Sequence, residues 1–426
     1  MTRALVLSRY FPFNPQRINA VYQRLGTQVQ ALARVVEQVE CLFFVPPDQQ
    51  RTAEELRAHE AQLRALWSPA VTLRLAPVVR EAAPAGAWQR LGRGIFKFAA
   101  QPLAWPLANP EAQAALTAAL RPRPDVILAH RLSAMCLLLA HPAAAAGVPV
   151  FFDLDDVEHV AWFRRLLRDP SWRGERALLL QTPRLLLAEL QAVRRSAATF
   201  VCSETDRRYL ARLSGTDHVR LVPNSVAFPP APAADATEAL VLFVGSMGSR
   251  PNAQAVDLLI ESVWPHIRAQ FPEARLAIIG NGAELTRSYP SRDERVSFLG
   301  FVDDLAAWYA RARVVCCPIR HGSGTRVKII EAASYAKAIV STRVGAEGLE
   351  FTDGEEILLR ERPRALAEAC LALLRDPAAA ARLGRAARAH AQRRYERTAV
   401  IEELEGMFRS TAGLGSSLAA AGTGAS

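Results

Sequence analysis

A glycine-rich loop followed by basic residues is the strongest chemical signal in this sequence. Residues 314–331 read VVCCPIRHGSGTRVKIIE, in which an apolar strand ends at Pro318 and a helix is predicted from Thr325. Backbone amides at the start of a helix lack partners, and glycine lets a ligand approach them closely, so this pattern predicts an anion site. The predicted cradle consists of Gly322, Ser323, Gly324 and Thr325.

Three charged side chains follow the cradle. Arg326 and Lys328 add two positive charges to the first helical turn, where they oppose the helix dipole unless an anion is bound. Glu331 lies three residues after Lys328, so both project from nearly one face, and a carboxylate below a phosphate site suits the hydroxyls of a ribose. An ordinary tight connection followed by a surface Lys328–Glu331 ion pair is the alternative interpretation. The residues alone leave both open.

Short apolar runs alternate with longer helical stretches along the chain, and this alternation predicts the framework that carries the loop. Continuous apolar strands separated by helices are typical of parallel sheets covered on both faces. The predicted strands lie at residues 4–7, 39–45, 125–129, 148–152, 199–202 and 219–222 in the first half, and at 240–244, 275–279, 296–298, 314–318, 338–341 and 356–359 in the second. The sequence therefore predicts an α/β fold of two tandem doubly wound, Rossmann-like domains facing a cleft at the carboxyl ends of their strands.

A change of composition marks the predicted boundary between these domains. Residues 223–239 read PNSVAFPPAPAADATEA, a Pro- and Ala-rich stretch without a period, as in an interdomain linker. We predict an N-terminal domain over 1–225, a C-terminal domain over 226–395, a helix over 396–412 that packs back on the first domain, and a disordered tail over 413–426. The loop after the first strand lacks Gly-x-Gly-x-x-Gly, so no nicotinamide or flavin cofactor is indicated.

The net charge is divided unevenly between the two halves. The chain of 426 residues has 52 Lys and Arg against 42 Asp and Glu, a formal net charge of +10. Residues 1–225 hold 28 basic and 19 acidic side chains, an excess of +9, so the second half is close to neutral. This asymmetry predicts an anionic partner for the first domain: a membrane surface, a phosphorylated substrate or nucleic acid. The absence of a nucleic-acid-binding motif disfavours the last.

Neither the cysteines nor the apolar segments indicate export or a membrane span. The six cysteines show no Cys-x-x-Cys spacing, so buried thiols in a reducing cytoplasm are predicted. The apolar run at the N-terminus is too short for a signal peptide, and the most apolar stretch, residues 134–152, is interrupted by Pro142, Gly147 and Pro149. We therefore expect a cytoplasmic protein, peripheral on the inner face of the membrane if it is attached there.

Five sequence segments occur together in one order. They are VCSETDRRYL with LVPNSV, LFVGSMGSRPNAQAV, LAIIGNGAEL, FLGFVDDLAAWYARARV, and GSGTRVKIIEAASYAKAIVSTRVGAEGL. This set resembles the group 1 glycosyltransferases of glycosyltransferase family 4, which have the GT-B fold, and is similar to sugar transferases of bacterial exopolysaccharide systems. The resemblance implies a nucleotide diphosphate sugar as donor, with neither a metal nor another cofactor required.

The resemblance also assigns roles to individual residues. Glu331 matches the second Glu of the family's Glu-x7-Glu motif and would bind the donor ribose, while Val302 and Asp304 match the place that receives the nucleotide base. His130 matches a His that family members present to the donor sugar or its phosphate. A plain strand-end turn for Val302 and Asp304, and a structural hydrogen bond for His130, are the alternatives.

The chain departs from the family pattern at charged positions. The first motif Glu falls on Ser323, and the family's Arg and Lys that bind the diphosphate fall on Ser246 and Pro251. We infer that other cations supply the charge that a diphosphate needs. They are Arg250, Arg326 and Lys328.

Two further features of the first half are candidates for binding. The acidic run FFDLDDVEH, residues 151–159, suits a polyhydroxyl acceptor better than a metal, because successive acids after a strand do not converge on one point by themselves. Segments 88–105 and 162–195 interleave basic with aromatic and Leu residues, which favours the surface of an anionic membrane. A solvated face over a Leu core is the alternative.

Taken with the resemblance, these features predict a retaining glycosyltransferase that moves a sugar from a nucleotide diphosphate to a glycan or lipid-phosphate-linked acceptor in polysaccharide biosynthesis. Arg326, Lys328 and the loop amides would stabilise the diphosphate leaving group as charge develops on it. Two alternatives stay open. One is a sugar-nucleotide epimerase or phosphorylase of the same fold, and the other is a catalytically silent scaffold subunit, which the missing charges motivate.

Overall fold

The computed structural model divides the chain into two units. The described residues are 1–14, 20–78, 110–140, 145–168, 176, 179–230, 238–322 and 324–413. The first unit comprises the described parts of Met1–Pro223 and Thr398–Ser426, and the second those of Asn224–Arg397. Each unit is built around one parallel sheet, which confirms the predicted α/β class of two doubly wound domains.

Seven parallel strands form the sheet of the first unit within the described residues. They are β1 (Arg3–Ser8), β2 (Gln38–Val45), β3 (Val71–Pro77), β4 (Val126–His130), β5 (Val150–Asp155), β6 (Ala198–Val201) and β7 (Val219–Leu221). Their order is β3-β2-β1-β4-β5-β6-β7, so the winding reverses between β1 and β4. The apolar pattern does not predict β3, because Thr72 and Arg74 interrupt the apolar run of this edge strand.

Helices cover both faces of this sheet. They are α1 (Ala20–Leu32), α2 (Ala53–Leu66), α3 (Pro110–Ala119), α4 (Leu132–Ala140), α5 (Glu158–Arg168), α6 (Thr182–Arg195) and α7 (Glu204–Ser214). Successive residues of β1 alternate between two hydrophobic cores, with Ala4 and Val6 on one face and Leu5 and Leu7 on the other. Burial on both faces explains why the strands read as continuous apolar runs.

The described part of the second unit contains six parallel strands. They are β8 (Leu240–Val244), β9 (Arg275–Ile279), β10 (Val296–Gly300), β11 (Val314–Cys317), β12 (Ala338–Ser341) and β13 (Leu358–Leu359). Their order is β10-β9-β8-β11-β12-β13, so here the winding reverses between β8 and β11. In open α/β sheets ligands bind beyond the carboxyl ends of the strands at such a reversal.

The helices of the second unit lie between these strands or follow the last one. They are α8 (Arg250–Leu258), α9 (Trp264–Gln270), α10 (Leu305–Arg311), α11 (Val327–Ser334), α12 (Pro363–Arg375) and α13 (Pro377–Tyr395). A π-helical segment, Leu259–Val263, joins α8 to α9. The loops that precede α8 and α11 both lie at the carboxyl edge of the reversal.

The helix after the second unit contributes to the core of the first. In α14 (Arg397–Ala412), the buried Phe408 contacts Phe151 and Phe200 edge-on, with ring centroids 4.8 and 5.9 Å apart. Leu404 and Val400 of the same helix are buried in that core. The first unit is therefore assembled from both ends of the chain.

Four predicted features lie wholly or partly outside the described residues. They are the basic and aromatic segment at 88–105, residues 169–175 and 177–178 of the segment at 162–195, the middle of the linker at 231–237, and the tail from residue 414. All six cysteines are described, and each is buried with a free thiol. Among the helices of the described ranges, none combines the length and the apolar character needed to cross a bilayer.

Candidate functional site

Lys328 is held by a hydrogen bond at the winding reversal of the second sheet. It lies on the first turn of α11, and its Nζ donates to Oδ1 of Asn252 at 2.7 Å. Asn252 belongs to α8, and its Nδ2 donates to the Ser246 carbonyl oxygen at 2.7 Å. The Nζ atom also lies 4.4 Å from the ring centroid of Phe243 in β8. One ammonium group thus joins the loops that follow the two central strands.

The turn that receives this ammonium requires glycine. A Cβ atom on Gly245 would lie 2.3 Å from Nζ of Lys328 and 2.9 Å from Nδ2 of Asn252. A Cβ atom on Gly280, after β9, would lie 2.2 Å from the Gly245 carbonyl oxygen. These distances are far inside van der Waals contact, so a larger residue would displace the turn or the ammonium.

Burial weakens the basicity of the ammonium. The pKa of Lys328 falls to about 8, first because burial penalises the charged form and also because Arg326 is close, while Cys317 and Glu331 act in the opposite direction. The hydrogen-bond acceptor of the ammonium is a neutral amide. A cation that is partly desolvated and not neutralised by its acceptor attracts an anion strongly.

The glycine-rich loop precedes the helix instead of opening it. The sequence predicts a helix from Thr325, but α11 begins at Val327. The reason is that Gly322 and Gly324 have left-handed φ values of +110° and +78°, which a right-handed helix does not continue. The amides at the helix start are therefore those from Val327 onward, so the predicted helix start at Thr325 is wrong, while anion binding by the loop stays a prediction. Ser323 lies outside the described residues.

Arg326 caps the helix and folds back onto the loop. Its Nη1 donates to the Gly324 carbonyl oxygen at 2.8 Å, and its Nη2 donates to that of His321 at 3.4 Å. Thr325 is held from the start of the second unit, because Nδ2 of Asn224 donates to its Oγ1 at 2.7 Å. Two cations, Arg326 and Lys328, thus lie at one helix start and donate hydrogen bonds to carbonyl and amide oxygens.

Glu331 is hydrogen-bonded to a tyrosine and not to Lys328. The Tyr309 hydroxyl donates to Oε2 of Glu331 at 3.0 Å, and the Tyr309 ring stacks on Tyr335 with centroids 4.6 Å apart. Burial raises the pKa of Glu331, while Tyr309 and Lys328 act to lower it. The predicted alternative of a surface ion pair is not what the structure contains, since Lys328 donates to Asn252.

The remaining predicted residues of the second unit lie in the loops at the carboxyl edge. Asp304 caps α10, because its Oδ1 accepts from the backbone N of Ala307 at 3.0 Å. Val302 packs half-buried against the core, and Arg250 is exposed at the first position of α8. The hydrogen bond at the helix start is by itself a sufficient reason for an aspartate at position 304. Recognition of the base by Val302 and Asp304 stays a prediction.

His130 is fully buried at the winding reversal of the first sheet. It ends β4, and its Nδ1 lies 2.9 Å from Oγ of Ser8 at the end of β1. The Tyr10 ring stands edge-on to the imidazole at 5.6 Å. Burial lowers the pKa of His130 to about 4, so the ring is neutral at pH 7. The imidazole has no exposed surface here, and its predicted contact with the donor stays a prediction.

Buried ion pairs surround this histidine. Arg24 of α1 donates to Oδ1 of Asp153 at 2.6 Å through Nη2, and Nε2 of His130 lies 3.6 Å from the other oxygen of that carboxylate. Arg131 is paired with Asp155. Both members of this pair have left-handed backbones, with φ of 71° and 63°. Such conformations are uncommon outside glycine and persist only where the surrounding contacts impose them.

The acidic run at residues 151–159 begins within β5 and places carboxylates beside basic side chains. Ligand atoms of Asp155, Asp156 and Cys202 lie within 4.8 Å of one another, a spacing that a metal ion could bridge. Asp155 is already paired with Arg131 and lies 3.5 Å from Nε of Arg24. A cation added there would meet two guanidinium groups, so hydroxyl groups suit these residues better.

A chain of hydrogen bonds links the three helices beside that run. His159 of α5 is bonded through Nδ1 to the buried carboxylate of Glu189 in α6 and through Nε2 to the Tyr209 hydroxyl of α7 at 2.8 Å. Neighbouring Glu158 has a pKa raised to about 7, mainly by burial. Among the described residues, this edge therefore carries a carboxyl group that can change its charge near neutral pH.

Several residues of both sites belong to no sequence motif. Their contacts join segments far apart in the chain, and no local spacing marks them. They are Ser8, Arg24, Gly245, Asn252 and Tyr309. The one signal in the sequence is that Gly245 and Asn252 lie next to Ser246 and Pro251, the two positions where the expected cations are replaced.

Part of the chain is similar to a known protein family and to known proteins. Residues 238–376 match the family model described as Glycosyl transferases group 1. Over 226 residues the chain is 30% identical to phosphatidyl-myo-inositol mannosyltransferase of Mycobacterium leprae, covering 50% of this chain and 59% of that relative. The match therefore spans less than two thirds of the relative's length.

Solved structures are similar over nearly the whole chain. Sucrose-phosphate synthase of Thermosynechococcus elongatus has a TM-score of 0.65 and 18% identity, covering 97% of this chain and 100% of that one. HepE of Anabaena, solved with UDP and glucose, has a TM-score of 0.65 and 15% identity over 96% of this chain and 100% of its own. At these identities the likeness concerns the fold. Residues 238–376 are thus similar to the group 1 glycosyltransferases, and the chain has the GT-B fold of two doubly wound domains.

Proposed function

We propose that this protein transfers a sugar from a nucleoside diphosphate to an acceptor hydroxyl. The observation that carries the proposal is the clamped ammonium of Lys328 with Arg326 beside it, between the ends of β8 and β11. Two cations and a helix start match the charge of a diphosphate. The family match and the mannosyltransferase relative support the reaction class.

The chemistry follows from the place where charge develops. When the bond between the anomeric carbon and the diphosphate oxygen breaks, negative charge grows on the leaving group, and Lys328 and Arg326 stabilise it. Glu331 would accept hydrogen bonds from the ribose, and Val302 and Asp304 would meet the base. Retention at the anomeric carbon is part of the proposal, and no protein nucleophile is assigned. The two side-chain cations supply the charge that a metal would otherwise bring, so none is invoked.

Residues of the first unit would contact the donor sugar and the acceptor. His130 would contact the donor sugar once Tyr10 moves aside, because Tyr10 stands against the imidazole. The hydrogen-bonding groups of Arg131 and Asp156 suit a polyhydroxyl acceptor.

We also propose a glycan or lipid-phosphate-linked acceptor, used in polysaccharide biosynthesis at the inner face of a membrane. The +9 excess of residues 1–225 supports it, as does the name of the mannosyltransferase relative, which includes a phospholipid. On α5 and α6, Phe163, Leu167 and Leu187 are 47%, 43% and 54% exposed, and Arg165 and Arg194 are exposed beside them. Apolar and basic side chains together suit an anionic bilayer surface.

Vesicle sedimentation tests this surface. Binding should increase when phosphatidylglycerol is added to phosphatidylcholine vesicles and should decrease with salt. Replacing Phe163 and Leu187 by Ser should weaken it, whereas Leu285→Ser, at a site 60% exposed in the second unit, should not. Binding that is insensitive to anionic lipid and to salt would remove the membrane from the proposal.

Donor screening and product analysis test the reaction. A nucleotide sugar at 100 times its dissociation constant stabilises the protein by about 2.7 kcal/mol, so a thermal-shift panel identifies the donor. Transfer releases a nucleoside diphosphate only when an acceptor is glycosylated. An epimerase converts the donor without an acceptor, and a phosphorylase requires inorganic phosphate. A purified protein that binds no nucleotide would favour the scaffold subunit, which Ser246 and Pro251 motivate.

A further inference from the structure

The side chain of Asn252 is fixed at both of its polar atoms. Its Nδ2 donates to the Ser246 carbonyl oxygen at 2.7 Å, and its Oδ1 accepts from Nζ of Lys328 at 2.7 Å. Because a carbonyl accepts only from a donor and an ammonium donates only to an acceptor, the amide has one orientation that satisfies both partners. The Asn252 oxygen is therefore directed at the ammonium by the backbone of its own loop.

The groups around the Lys328 ammonium favour its position next to Asn252. The Phe243 ring lies 4.4 Å from Nζ, and Gly245 leaves room for the ammonium where any Cβ would collide with it. Lys328 comes from the helix after β11, yet its charge lies against the turn after β8. The segment from the end of β8 to the first residue of α8 carries one basic side chain, the exposed Arg250.

We propose that Asn252 is the positioning residue of the diphosphate site: it holds the Lys328 ammonium against the Gly245 turn, so that α11 supplies the positive charge for the loop after β8. The identity of the anion rests on the proposed function. A neutral amide suits this task, because a carboxylate at the same place would neutralise the ammonium and repel the diphosphate.

The charged and titratable groups that act on Lys328 are Arg326 and Glu331 from its own segment and Cys317 from β11. The contacts from β8 and α8 are neutral, through Phe243 and Asn252. With respect to the residues that the structure describes, an aspartate at position 252 would therefore add the first opposite charge in direct contact with the ammonium. It would also keep the shape of the side chain.

Direct titration of Lys328 tests the contact without a nucleotide. The full chain contains only Lys97, Lys328 and Lys337, so labelling the lysine Cε with carbon-13 gives few resonances, and Lys328→Arg assigns the one of interest. Asn252→Asp should raise the titration midpoint by about one pH unit or more, as expected for an opposite charge in contact. Asn252→Ala removes the acceptor without adding charge and should lower it, so the two variants move the midpoint in opposite directions.

Nucleotide binding tests the functional consequence. At pH 7, Asn252→Asp should weaken the affinity for UDP, GDP or ADP, whichever binds the wild type, by about tenfold, which is about 1.4 kcal/mol. The matched control is Asn281→Asp, which adds the same charge at an exposed position after β9. The control should leave the Lys328 midpoint unchanged and should weaken nucleotide binding less than Asn252→Asp does.

A double-variant cycle separates an action through Lys328 from a general effect. If Asn252 acts through the ammonium, Asn252→Asp should cost little further affinity in a Lys328→Gln background. An equal cost in both backgrounds, or a Lys328 midpoint that neither Asn252 variant moves, would overturn the proposal. If the wild type binds none of the three nucleotides, the proposed function fails, while the lysine titration still decides whether Asn252 holds the ammonium.

Discussion

The hydroxyl of Tyr309 donates a hydrogen bond to Oε2 of Glu331 at 3.0 Å, across two helices of the second unit. Tyr309 is completely buried and stacks on Tyr335. Burial and the neighbouring carboxylate raise the pKa of Tyr309 well above its ordinary value, so the phenol stays protonated and remains a donor. One carboxylate oxygen of Glu331 is thereby fixed, and the other can accept a hydrogen bond from a ligand.

Replacing Tyr309 by Phe should loosen this carboxylate while keeping the ring stack. Because Glu331 is proposed to bind ribose, Tyr309→Phe should weaken the affinity for UDP more than that for 2′,3′-dideoxy-UDP. Calorimetry with both nucleotides measures the ratio. Tyr335→Phe, which keeps the stacked ring and the hydroxyl of Tyr309, is the control and should keep the ratio of the wild type. An unchanged ratio in Tyr309→Phe would argue against the ribose role.

Replacing Gly245 by Ala should displace the ammonium of Lys328. The added Cβ would lie 2.3 Å from Nζ, so we expect UDP affinity to fall by more than about tenfold, with a destabilisation of about 1–3 kcal/mol typical of overpacking. Gly354→Ala is the matched control, because Gly354 also has a positive φ, of 86°, but open space around its Cβ position. Equal losses of affinity in both variants would point to backbone strain instead.

Removing the charge of Lys328 should weaken nucleotide binding without harming the fold. The pKa of Lys328 is depressed from 10.5 to about 8, so between these values the unfolded chain binds more protons and stability rises with pH. At pH 7 the buried charge therefore costs stability. Lys328→Gln should melt at the same or a higher temperature at pH 7, with UDP affinity reduced by more than about tenfold. Scanning calorimetry that shows a large destabilisation would contradict this account.

Wild-type affinity should also depend on pH through this lysine. Below about pH 8 the ammonium is charged and UDP affinity should be flat, whereas above it affinity should fall by up to about tenfold per pH unit. Lys328→Arg keeps its charge throughout this range, so any binding that it retains should lack the decrease. Calorimetric titrations from pH 7 to pH 9.5 measure both profiles.

Glu158 should make the first unit less stable as pH rises to neutrality. Burial raises the pKa of Glu158 from 4.5 to about 7, so the folded state retains a proton that the unfolded state loses, and stability present below pH 4.5 is lost as pH rises through 7. Glu158→Gln should leave the melting temperature unchanged near pH 4.5 and raise it by a few degrees at pH 8. The exposed Glu111→Gln on α3 is the control, and an equal rise there would contradict the burial argument.

Removing the Tyr10 ring should make His130 accessible. His130 is fully buried with Tyr10 edge-on to it, so diethyl pyrocarbonate should modify it slowly in the wild type and faster in Tyr10→Ala. Mass spectrometry of the modified peptide measures both rates. Tyr209→Ala, at another exposed tyrosine of the first unit, should leave His130 protected.

Local sequence pattern was sufficient to predict the two sheets and the segment that carries Arg326, Lys328 and Glu331. Strands buried on both faces have to be apolar throughout, so they can be recognised without knowing their neighbours. The charged segment is contiguous, and its spacing alone places the three side chains near one helix start. The edge strand β3 escaped prediction because it is buried less completely than the central strands.

Only the tertiary structure decided which residues support that segment. Asn252 is 76 residues away from Lys328, and Arg24 is 129 residues away from Asp153. Such contacts depend on the order in which strands pair, and the periodicity of a sequence reports burial but not pairing order. Chain composition likewise could not show that the His130 ring would be covered. The sequence by itself therefore determined the fold class and the charged loop, whereas the packing of β8 beside β11 decided where that charge is held.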